Sequence, residues 1–160
     1  MKRFGVAGAS VLSIVIMVSI AVWATGVQQA QAHCQVPCGI YDDAARIKRL
    51  QEDATTIAKA ITQINELSGK HEAQAFNQAA RWVATKEHHA SHVIQVVSEY
   101  FLTQKVKAVA PGAEGYDAYL KKLADHHAVM VAAMKTKQKA DPAVADALHH
   151  SIDALAKHYK

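Results

Sequence analysis

An all-α chain, folded as an antiparallel up-down four-helix bundle behind an irregular N-terminal hook, is the architecture this sequence predicts. Three observations predict it. Apolar residues recur three and four positions apart in four separate stretches, the mark of amphipathic helices. Beyond residue 41, glycine and proline fall at the edges of those stretches. Period-two alternation, which a half-buried strand requires, is sustained nowhere. Short connections between successive helices make neighbours antiparallel.

Residues 1–32 read as a leader. Lys2 and Arg3 supply a basic start, Val11 to Ala24 is apolar apart from Ser13 and Ser19, and Ala30-Gln31-Ala32 is a small-residue cleavage site. The apolar core is short for a bilayer span, which takes about 20 residues. Cleavage after Ala32 is therefore expected, with a chain that is exported, periplasmic or extracellular, and no longer bound to membrane.

Residues 33–41 form the hook and 42–160 the bundle. Asp42 and Asp43 bring acceptors and negative charge to a helix start. Ile47, Leu50, Ala54, Ile57, Ile61 and Ile64 form its stripe, and Ser68-Gly69 ends it. A second helix, from about His71 to Val106, carries Phe76, Ala80, Val83, Glu87, Ala90, Ile94, Val97 and Phe101 on one face, and Pro111-Gly112 and Gly115 follow it. Tyr116, Leu120, Leu123, His127, Met130 and Met134 make the third stripe. Asp141-Pro142 restarts the chain as N-cap and first helical residue, and Ala145, Leu148, Ile152, Leu155 and Tyr159 make the fourth.

Lys2 and Arg3 account for two of the four net positive charges, so the chain after the leader is only mildly basic. No basic run interleaves with aromatics, which argues against a nucleic-acid partner. Chemistry concentrates in the hook. Cleavage would leave His33 with a free α-amine and an imidazole, followed by Cys34 and Cys38. The amine, the Cys34 backbone nitrogen and the Cys34 sulfur close two five-membered chelate rings. Pro37 and Gly39 turn the chain so that Cys38 completes a planar N₂S₂ set, with the imidazole axial. Such a set points to Ni(II) or Cu(II); zinc prefers a tetrahedron. In an oxidising compartment a Cys34–Cys38 disulfide is the competing arrangement.

The string His33-Cys34-Gln35-Val36-Pro37-Cys38-Gly39-Ile40-Tyr41 resembles the nickel hook of the nickel-containing superoxide dismutases. The resemblance extends over residues 33–160 through the helix lengths and the Glu99-Tyr100-Phe101 patch. It implies an enzyme that converts superoxide to dioxygen and hydrogen peroxide by Ni(II)/Ni(III) cycling, with one nickel ion per subunit. By this resemblance His33 binds through its amine and axially through its imidazole, Cys34 through nitrogen and thiolate, and Cys38 through thiolate. Tyr41 lines the approach to the metal and orders water there, and Tyr100 stands in for the family's second tyrosine. The resemblance further implies a homohexamer and a leader-processing peptidase as partners. The chain departs from the pattern in places. Gln35 replaces an aspartate found in some relatives. Lys48-Arg49 occupy the place of a glutamate that supports the imidazole, leaving Glu52 as the nearest carboxylate and Arg81 as an available arginine.

Two other readings compete: a secreted helical Ni/Cu-binding protein without turnover, and a structural bundle with the disulfide. Outside the hook, His88 and His92 lie one turn apart and His89 and His92 three residues apart, so either pair has chelating spacing. On an alanine-rich helix such pairs are more often solvated or at subunit contacts. Glu87 and His127 fall on apolar stripes and are expected as hydrogen-bonded polar groups of the core or an interface.

Overall fold

The computed structural model describes residues 42–159. Four helices appear in the expected order: α1 Asp43–Leu67, α2 Ala73–Gln95, α3 Tyr116–Gln138 and α4 Pro142–Ala156. The chain of α2 continues as a π-helix from Val96 to Lys105. α1 packs on α2 and α4, and α3 packs on the same two. Register is antiparallel throughout. Gln51 bonds Asp153 while Asn65 bonds the Ala140 carbonyl, and Lys86 reaches the end of α3 while Phe101 meets His126. Among the described residues, no helix is long and apolar enough to cross a membrane.

The stripes of α1 and α4 stand as expected. Ile47, Leu50, Ala54, Ile57 and Ile61 are buried in one, and Ala145, Leu148, Ile152, Leu155 and Tyr159 in the other. Asp42 caps α1 by accepting from the Ala45 N–H at 2.8 Å, and Asp141 caps α4 by accepting from Ala143 at 2.9 Å. Gly115 takes φ 83°, a left-handed conformation that favours glycine, and turns the chain into α3.

In the first half of α2 and over much of α3 the buried face is shifted by one residue, whereas Ala90, Val97 and Phe101 of the expected second stripe are buried and Ile94 and Met130 pack against the core. Phe76 is 61 % exposed and Val83 42 %, while Ala75, Lys86, Ala90 and Val93 are buried on α2. On α3 the buried residues are His126, Val129, Ala132, Ala133 and Thr136, while His127, Leu120 and Met134 are exposed. The reason is that satisfied polar groups occupy core positions. Lys86 Nζ donates to the Thr136 carbonyl and, at 2.9 Å, to that of Lys137, neutralising the open C-terminal turn of α3. Glu87, expected on the stripe, is half-buried and pairs with Lys86 at 3.0 Å and with Lys137 at 3.8 Å.

The π-helix also departs from the continuous α-helix expected to Val106. Val106 N–H bonds the Phe101 carbonyl five residues back, and the Thr103 and Gln104 side chains reach back five residues to Ser98 and Glu99. A wider turn narrows the angle between consecutive residues, so Tyr100 and Phe101 both face inward.

Candidate metal centre

The residues expected to hold the metal, His33, Cys34 and Cys38, lie outside the described residues, as does Tyr41. What the structure describes is the start of α1, bonded through Asp42 to Tyr41, and the side chains gathered there. Among the described residues, no group of three or more His, Cys, Asp or Glu is arranged to hold a metal.

Asp43 anchors this end of the bundle. Its Oδ1 accepts from the Tyr100 hydroxyl at 2.7 Å, and its Oδ2 lies 3.2 Å from Lys105 Nζ. Arg46, one turn into α1, lies over the Tyr100 ring at 4.8 Å from its centroid. The π-helix supplies Tyr100 and Lys105, so the irregular turn is what delivers both to Asp43. Burial, then the hydrogen bond to Asp43, pushes the Tyr100 phenol up to about 12, so it stays protonated at neutral pH.

Behind this group lies a second polar chain. His126 is wholly buried; its Nδ1–H donates to the Lys122 carbonyl at 2.6 Å, and its Nε2 accepts from the Tyr159 hydroxyl at 2.7 Å. With both nitrogens so engaged the ring is neutral, and burial holds its pKa below the ordinary value. Burial likewise raises the Tyr159 phenol. Lys122 Nζ sits over the Tyr159 ring at 4.3 Å, and burial, with Lys105 adding repulsion, lowers its pKa against the pull of Asp43. Asp125 bonds Lys121 at 2.8 Å and His158 at 2.7 Å, and these hydrogen bonds hold its carboxyl below the usual range.

The supporting residues sought from sequence fall elsewhere. Glu52 is exposed and pairs loosely with Arg49 at 3.7 Å, and Arg81 is exposed on α2. The arginine that meets a tyrosine is Arg46. Tyr100 does stand beside the start of α1. Lys105, Lys122 and the His126–Tyr159 pair carry no spacing signal, because π-helical register and helix packing bring them together.

The model of the nickel-containing superoxide dismutase family matches residues 28–160. No curated protein matches the chain, and no solved structure does.

Proposed function

The chain belongs to the nickel-containing superoxide dismutase family, an oxidoreductase acting on superoxide, and from that premise we propose that the hook at 33–41 holds its nickel once the leader is removed. The carrying observation is the donor string itself, which lies inside the matched segment 28–160 while residues 1–27 lie outside it. Its donor set, an amine, a backbone nitrogen, two thiolates and an imidazole, would suit nickel. His33, Cys34 and Cys38 hold the ion, one per subunit. Bound there, nickel would supply one-electron cycling between Ni(II) and Ni(III), so that one superoxide gives up an electron to leave as dioxygen and a second takes that electron and two protons from water to leave as hydrogen peroxide.

The rest of the chain holds the hook's root. Asp43, tied to Tyr100 and Lys105, fixes the helix start two residues after Tyr41. Tyr41 orders water on the approach. Tyr100 keeps its proton and donates it in a hydrogen bond to the Asp43 carboxylate, so it acts by position. Phe76, Val83, Leu120 and Met134, each more than two-fifths exposed, offer apolar surface for packing between subunits, in keeping with a hexamer. A peptidase cuts after Ala32, and the protein works outside the cytoplasm.

The test is intact-mass determination of the N-terminus on nickel-loaded protein, followed by an assay of superoxide loss. Active protein should begin at His33. Full activity in a chain that keeps residues before His33 contradicts the amine-ligand reading.

A further inference from the structure

α2 carries three imidazoles within five residues, at 88, 89 and 92, and the function above uses none of them. We infer that His88 and His92 bind a divalent transition-metal ion at a second site, with Asp53 positioning His92. The pair is spaced i, i+4, which puts both side chains on one helix face at the interval two imidazoles use to grip a single ion.

Asp53, on α1, is 1 % exposed. Its Oδ2 lies 2.6 Å from His92 Nδ1, and its Oδ1 lies 2.6 Å from His89 Nδ1. A carboxylate only accepts, so both Nδ1 atoms carry a proton and Nε2 is the ring atom left to face a metal. A carboxylate fixing one ring nitrogen so that the other can ligate is the arrangement that orients metal-binding histidines. If the cluster only tied α1 to α2, nothing would keep the rings open. Yet the His89 and His92 side chains are 24 % and 35 % exposed, and no hydrogen bond joins either Nε2 to another described residue. His88 is exposed and touches His89 edge-on, its ring centroid 5.5 Å away. His89 takes the other oxygen of the Asp53 carboxylate, so Oδ2 is left to hold His92 alone.

Two imidazoles with water completing the shell suit Cu²⁺, Ni²⁺ or Zn²⁺ and discriminate against Mg²⁺ and Ca²⁺. The buried Asp53 charge offsets part of the ion's charge. The site depends on neither the hook nor the leader.

The full chain carrying Cys34→Ala and Cys38→Ala, which lacks the hook thiolates, should retain Zn²⁺ binding in calorimetric titration. In that background His88→Ala or His92→Ala should weaken it by at least about tenfold, and Asp53→Asn by roughly 10–100-fold. His149→Ala with His150→Ala should leave it unchanged. Unaltered Zn²⁺ affinity in His88→Ala and His92→Ala overturns the site, and unaltered affinity in a folded Asp53→Asn chain overturns the positioning role. Should Asp53→Asn unfold, nitrogen NMR of the unsubstituted His92 decides. Zn²⁺ must shift Nε2 while Nδ1 stays protonated, and a metal shift at Nδ1 contradicts the assignment.

Discussion

Tyr159→Phe removes one oxygen from the core and leaves everything else in place. The hydroxyl donates to His126 Nε2 at 2.7 Å, His126 has no exposed surface, and Tyr159 is 7 % exposed. The aromatic ring that packs on Phe101 at a centroid distance of 4.3 Å survives the change. What is lost is the donor, and the imidazole nitrogen stays buried with no partner, a cost of about 1–3 kcal/mol. For a bundle of this size each kcal/mol moves the midpoint by about 4 °C, so Tm should fall by roughly 4–12 °C. Melting followed by circular dichroism near neutral pH measures it. The paired change His126→Leu with Tyr159→Phe should cost less than the sum of the two single changes, by about 1 kcal/mol or more, because it removes acceptor and donor together. A Tm within about 1 °C of the parent, or strictly additive single changes, refutes the pairing.

Three further outcomes follow from the same geometry. Because burial holds His126 below its ordinary value of 6.5, the unfolded chain takes up a proton below that pH which the folded chain refuses. His126 therefore adds a loss of stability of up to about 1.4 kcal/mol per pH unit on acidification below 6.5 and adds none well above it; urea titrations of parent and His126→Leu across that range should differ by this slope. Asp43→Asn removes the charge that helps burial raise the Tyr100 phenol, so its titration should move down from about 12, as read by phenolate absorbance with Tyr100→Phe as the assignment. Lys86→Met keeps the buried stem but strips the Thr136 and Lys137 carbonyls of their donor, and should lower stability by about 1–3 kcal/mol, with amide exchange rising first at the end of α3.

Legibility in the sequence followed the chemistry of each core face. α1 and α4 bury a large aliphatic on nearly every turn, Ile47, Leu50, Ile57 and Ile61 in one and Leu148, Ile152 and Leu155 in the other, so spacing alone locates them. α2 and α3 put Lys86, His126, Thr136 and several alanines inside, and leave Phe76, Leu120 and Met134 outside, so a rule that places bulky apolar residues in the core misplaces those positions while still finding Ala90, Val97 and Phe101. The π-helix has no periodicity of its own in a ten-residue run, so its sequence is indistinguishable from more α-helix. Donor spacing made the hook visible because His33, Cys34 and Cys38 fall within six residues of the chain. Asp43 with Tyr100, or Asp53 with His89 and His92, lie far apart in sequence and meet only through packing. Tyr100 is visible in sequence only through the resemblance, and its partner Asp43 only as a helix start.

The central claim is that the metal's amine ligand exists only after the leader is cut. One alanine inserted between Ala32 and His33, with cleavage after Ala32 preserved, moves that amine by one residue and leaves both thiols and the bundle unchanged. Superoxide loss by the nickel-loaded insertion protein, measured beside its helical circular dichroism, should fall to background while the helical signal stays at the parent level. Parental activity in that protein would contradict the account.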